Sequence, residues 1–82
     1  MTVRVLYFAA VRELVGRSEE LLELPDSVQS VADLGRHLQG LHPELQGTLG
    51  SVRIAVNETF AGADTTLAHD DTVALIPPVA GG

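Results

Sequence analysis

The sequence predicts an α+β domain in which one main helix covers one face of a mixed sheet of about five strands. Three observations carry this. Short runs rich in β-branched and aromatic residues, such as Val3-Arg4-Val5-Leu6-Tyr7-Phe8, stand towards both ends of the chain. One stretch, from Ser30 to Leu41, repeats its apolar residues at helical spacing. A length of 82 residues leaves room for one domain.

Each element has its own local reason. Val3 to Phe8 reads as the first strand. Ala9 to Val15 is a short helix-permissive stretch that stops at Gly16. Arg17 to Leu24 reads as a second, more exposed strand, closed by Pro25-Asp26. These two strands are expected to form a hairpin with the helical excursion in its connection. Ser30 and Asp33 have the spacing of a capping box, which satisfies first-turn N–H groups. Val31, Leu34, Leu38 and Leu41 then follow on one helical face, and Pro43 marks the end. Gly35 and Gly40 weaken this helix by about 1 kcal/mol each, so packing on the sheet must supply its stability. Val52, Ile54 and Val56 alternate with Arg53, Ala55 and Asn57, the pattern of a half-buried strand. Asn57-Glu58 is expected to turn it towards Phe60, and Val73 to Ile76 is the last short strand. With a right-handed helical crossover, this order matches the β-grasp, or ubiquitin-like, arrangement.

Composition excludes several functions. The formal charge is −6, which is unsuited to nucleic acid or to an anionic membrane surface. There is no cysteine, hence no disulfide, no thiolate nucleophile and no cysteine-based metal site. Neither a leader peptide nor a membrane span is expected, and the composition fits a cytoplasmic protein. The five basic residues are all arginines. Without lysine, the chain offers no side-chain amine for building lysine-linked chains of itself.

Side-chain catalysis finds little support. His37 and His42 are on different helical faces and make poor co-ligands. His69, Asp70 and Asp71 read as a solvated acidic turn rather than a cation site. No spacing fits zinc, no glycine-rich loop fits a phosphate, and no serine has a base beside it. No metal and no bound cofactor are expected.

The end of the chain is different. Residues 1–76 are expected to form the domain and 77–82 a flexible tail, Pro77-Pro78-Val79-Ala80-Gly81-Gly82. The prolines fix φ, donate no backbone hydrogen bond and push the chain away from the sheet. Gly81 and Gly82 have no side chain and can enter a channel too narrow for a Cβ. Six residues give the carboxylate of Gly82 roughly 20 Å of reach. That carboxylate is therefore the candidate reacting group. Activated as an acyl-adenylate, it could accept sulfur to become a thiocarboxylate, or react with an amine to give a conjugate. A second feature lies on the sheet. If Val3, Val5, Val52, Ile54 and Val56 face the helix, then Leu6, Phe8, Ala55, Ala74 and Ile76 face the other way, with Phe60 near them. Phe8, Phe60 and Ile76 are expected to bind a partner beside the tail's exit.

The sequence resembles the small subunits of molybdopterin synthase almost end to end. The likeness lies in Val3-Arg4-Val5-Leu6-Tyr7-Phe8-Ala9, in Arg12-Glu13-Leu14-Val15-Gly16, in Ala55-Val56-Asn57-Glu58, and above all in Pro77-Pro78-Val79-Ala80-Gly81-Gly82. The resemblance implies a sulfur carrier that is itself non-catalytic, the active site lying on the large subunit. Gly82 would be adenylated by a ubiquitin-activating-like enzyme, which uses ATP, and converted to a thiocarboxylate. The tail would then enter the large subunit and give its sulfur to a cyclic pterin phosphate, building the dithiolene of molybdopterin for the molybdenum cofactor. The assembly implied is a hetero-tetramer of two large and two small subunits. A carrier for thiamin, cysteine or tRNA thiolation shares the tail chemistry, as does a ubiquitin-like protein modifier. One departure is visible: the family usually has Gly-Asp before the last strand, where this chain has Asp70-Asp71.

Overall fold

Val3, Val5 and Tyr7 alternate with polar or half-exposed neighbours, and all three are buried. They belong to β1 (Thr2–Tyr7), in a computed structural model that describes residues 1–78. The elements that follow are α1 (Ala9–Val15), β2 (Glu19–Glu23), α2 (Val31–Leu41), β3 (Arg53–Val56), β4 (Thr59–Phe60) and β5 (Thr72–Ile76). Two short 3-10 turns, Pro43–Leu45 and Leu49–Ser51, connect α2 to β3. The sheet order is β2-β1-β5-β3-β4. The central pair, β1 and β5, is parallel, and the other pairs are antiparallel. This is the α+β arrangement expected from the sequence, with the first and last strands paired at the middle of the sheet.

Local chemistry sets most boundaries. α1 stops at Gly16, whose φ of 86° is left-handed and whose N–H donates to the carbonyl of Arg12. α2 begins with a complete capping box. The Ser30 side chain accepts from the Asp33 N–H, and the Asp33 carboxylate accepts from the Ser30 N–H. The same carboxylate also accepts from the Gln29 N–H, and these backbone donors hold its pKa below the usual range. The hairpin between β3 and β4 turns on Asn57 and Glu58, with φ of 50° and 72°. Two successive left-handed residues give the tight turn whose twist suits a hairpin.

The core lies between the sheet and α2. Val31, Leu34 and Leu38 of the helix meet Val3, Val5, Val73 and Leu75 of the two central strands. Val11 of α1 and Leu45 close the ends. Leu41, expected to continue the helical stripe, is 48% exposed. It stands at the edge of the stripe in the last helical position, and Leu45 of the following turn is buried instead.

Candidate functional site

The residues of β1, β5 and β3 that point away from α2 meet on one face. Register places Leu6 opposite Ala74, Ala74 opposite Ala55, and Ala55 opposite Phe60. No helix of the described residues covers this side. The two alanines are too small to fill the space between their neighbours, so they form the floor of a groove. Leu6, Phe8, Phe60 and Ile76 form its apolar walls, and its volume is about 280 Å³. Glu58 and Thr72 border it with polar groups. Phe8 is 44% exposed and Phe60 56%. The fold therefore brings Phe8, Phe60 and Ile76 together as the alternation of each strand required, and none of the three belongs to the buried core.

The groove ends where the chain leaves the sheet. Ile76 is the last residue of β5 and lies opposite Arg53. Pro77 is half-buried and Pro78 exposed. Proline has no N–H for a further ladder bond, so pairing stops there. Val79, Ala80, Gly81 and Gly82 lie outside the described residues. Beside the exit, the Arg53 guanidinium lies over the Phe60 ring, with its carbon 3.8 Å from the ring centroid. Phe60 thus borders both the groove and a second hollow lined by Arg53, Ile54 and Ala61.

The acidic turn before β5 has a structural use. Asp70 takes a φ of 71°, and the Asp71 N–H donates to the carbonyl of Ala68. A left-handed third residue defines a type II turn, a position suited to glycine. Asp70 thus adopts a conformation that glycine takes without strain, at the point where Asp70-Asp71 marks a departure. The Asp71 carboxylate accepts from the Ala68 N–H and from the Asn57 side-chain amide, while the Asn57 side-chain oxygen accepts from the Thr72 N–H. These bonds fasten the hairpin beside the groove to the start of β5. His69 accepts from the Thr2 N–H through Nδ1. Among the described residues no cluster of three or more His, Asp or Glu side chains could hold a metal.

One constellation was not read from the sequence. Tyr7 donates its hydroxyl to Glu20 Oε1 at 2.8 Å, and His42 Nε2 lies 2.8 Å from the same oxygen. Arg17 reaches the other Glu20 oxygen at 3.3 Å. Burial, then the Glu20 hydrogen bond and charge, push the Tyr7 phenol well above its ordinary range, so it remains a donor. Burial also raises the Glu20 carboxyl, but the hydrogen bonds from His42 and Tyr7 outweigh it and hold the group below its ordinary value. The cluster joins β1 and β2 to the C-cap of α2, on the helix side of the sheet. It lies away from the groove and reads as a structural clasp.

The model of the ThiS family matches residues 5–82. A molybdopterin synthase sulfur carrier subunit from Mycobacterium tuberculosis is 41% identical over 81 residues, spanning 98% of this chain and 96% of that protein. The crystal structure of SAMP1 from Haloferax volcanii aligns over 100% of both chains with a TM-score of 0.89 and 26% identity. A protein–protein complex of subunits 1 and 2 of molybdopterin-converting factor from Helicobacter pylori 26695 contains a chain similar over 100% of both lengths, with a TM-score of 0.71 and 25% identity. No helix of the described residues is long and apolar enough to cross a membrane.

Proposed function

The chain belongs to the ThiS family, and on that premise we propose that it is the sulfur carrier subunit of a molybdopterin synthase. The observation that carries the reading is a juxtaposition. The strand that leads into the Pro77-Pro78-Val79-Ala80-Gly81-Gly82 segment also forms the wall of an exposed apolar groove. A docking face and a reactive tail rooted at its edge are what a carrier needs, because one partner must grip the domain while another group reaches the end of the tail.

In this reading Phe8, Phe60 and Ile76 dock on the large subunit, and the complex of the two Helicobacter pylori subunits supports a partner of that kind. A ubiquitin-activating-like enzyme first binds ATP; the Gly82 carboxylate attacks its α-phosphorus and releases pyrophosphate. Sulfide then attacks the acyl carbon and releases AMP, leaving a thiocarboxylate; a persulfide would give an acyl disulfide instead, from which a thiol must release the thiocarboxylate by taking the outer sulfur into a new disulfide. Pro77, Pro78, Val79, Ala80 and Gly81 carry that sulfur into the large subunit. There it reacts with a cyclic pterin phosphate to build the dithiolene. ATP and pterin are held by the partners, and the assembly is a hetero-tetramer with two copies of each subunit. A cytoplasmic location fits this reading.

The test is a reconstituted synthase supplied with variants at Gly82. Deleting Gly82 draws the carboxylate back by about 3.3–3.6 Å, and misplacement of even about 1 Å can cost on the order of 100-fold in rate. The deletion, and an added alanine after Gly82, should both abolish sulfur delivery while large-subunit binding persists. Near-normal product from either variant would sink the mechanism. Intact mass separates the conjugation reading: exchange of one oxygen for sulfur on the carrier supports sulfur transfer, whereas a carrier-sized gain on other proteins supports modification.

A further inference from the structure

We infer that Arg53 is a carboxylate-recognition residue at the tail end of the groove, and that the partner protein seated there presents an Asp or Glu side chain to it. This rests on the docking reading above and supplies the polar chemistry of that interface.

Position comes first. Arg53 opens β3 and lies opposite Ile76, the last residue of β5. Its side chain therefore stands beside the point where the chain leaves the sheet. Orientation comes second. The guanidinium carbon lies over the Phe60 ring, 3.8 Å from its centroid. The ring takes up one side of the group, and among the described residues its N–H donors make no hydrogen bond, unlike those of Arg4, Arg17 and Arg36. Those donors form the fork that matches a carboxylate.

Charge is the third observation. Arg4, Arg17 and Arg36 are paired with Glu19, Glu20 and Asp33. Arg53 forms no ion pair among the described residues, and neither does Arg12 of α1. Glu58 borders the same groove without pairing to Arg53. With eleven acidic residues for five arginines, an arginine without a carboxylate is a complement to a negative group from outside.

Docking makes the requirement sharper. A partner that covers the exposed Phe60 ring must also desolvate the guanidinium stacked on it. A cation taken from water without a hydrogen-bonded counter-charge opposes association. A partner carboxylate removes that opposition, and the contact with Phe60 restrains the side chain that receives it.

Titration calorimetry with the purified cognate large subunit tests this, using the wild type, Arg53→Met, Arg53→Lys and Phe8→Asp. Methionine keeps an unbranched chain over Phe60 and removes the charge. Arg53→Met should weaken binding by about 10- to 100-fold, the range for a charge-assisted hydrogen bond, and flatten the salt dependence. Arg53→Lys should keep the salt dependence and recover part of the affinity. Replacing the large subunit's acidic residues one at a time should then find one whose loss weakens the wild type and leaves Arg53→Met unchanged. Wild-type affinity and salt dependence in Arg53→Met would overturn the inference, as would a scan in which no acidic residue couples to Arg53. Phe8→Asp separates the two readings. If it loses binding while Arg53→Met does not, only the Arg53 inference fails. If it binds as the wild type does, the docking reading itself fails. Thermal melts of each variant verify that the domain is folded.

Discussion

Replacing Phe8 by aspartate should separate docking from folding. Phe8 is the N-cap of α1, with φ −118° and ψ 150°, and its side chain makes no capping hydrogen bond. Aspartate is among the best residues at that position and contributes about 1 kcal/mol there. Against this stands the buried part of the ring. Phe8 is 44% exposed, so a little over half of its side chain is covered by its own domain. Losing that part costs about 0.8–1.7 kcal/mol, a little over half of the range for burying a whole side chain. The two effects nearly cancel, and the thermal midpoint should move by less than about 5 °C in a domain of this size. The complex behaves differently. An aromatic side chain presents about 200 Å², so the exposed part is roughly 90 Å², worth about 2 kcal/mol when a partner covers it. The loss is about 30-fold in affinity before any charge is counted. Burying the new carboxylate against Leu6 and Ile76 adds a penalty of at least about 1–3 kcal/mol. Calorimetric titration against the large subunit should therefore show binding weakened by at least about 100-fold. Affinity within about threefold of the wild type, with the domain still folded, would refute the placement of the docking face.

Asp70 holds a φ of 71° in a type II turn, and its side chain is exposed, so Asp70→Gly should relieve left-handed strain and stabilise the domain by about 0.5–1 kcal/mol. A lower denaturant midpoint in that variant would show that the His69–Asp70 contact outweighs the strain. Glu20→Gln addresses the clasp. The folded pKa of Glu20 is depressed, so its ionised form adds stability above the unfolded value near 4.5, and this is lost as pH falls through the folded pKa. The variant should be less stable than the wild type at pH 7, with the gap narrowing as acid protonates the wild-type carboxyl. Urea midpoints measured from pH 7 down to pH 3 check this, and a gap of constant size would mean that the charge on Glu20 contributes nothing.

Much of the architecture is local chemistry, and local chemistry is written in sequence. The capping box of Ser30 and Asp33, the stop at Gly16 and the breaks at Pro25 and Pro43 act over a few residues each. They could be read without any knowledge of what packs where. Strand alternation goes one step further. Because successive side chains point to opposite faces, Val3 and Val5 in the core require Leu6 and Phe8 on the other side. With one main helix to cover two faces, the groove followed from that period and from counting elements. The family likeness was legible for a similar reason, since it rests on contiguous segments such as Ala55-Val56-Asn57-Glu58.

What only the tertiary structure decided depends on register between distant segments. Glu20 and His42 are 22 residues apart, and no periodicity links them. They meet because β2 pairs with β1 so that Glu20 lies opposite Val5, on the helix side, where α2 ends. Arg53 reads in sequence as an ordinary outward strand residue. Its stacking on Phe60 depends on the tight Asn57-Glu58 turn, and its place at the tail's root depends on its pairing with Ile76. Asp70 is the same case in the backbone: an acidic residue takes a left-handed turn because Asp71 and Asn57 tie both sides of it to the sheet. Sequence patterns report the angle between neighbours along the chain. Which charges, rings and turns meet is decided by strand register, and register is a sum of many weak long-range contacts that no single segment contains.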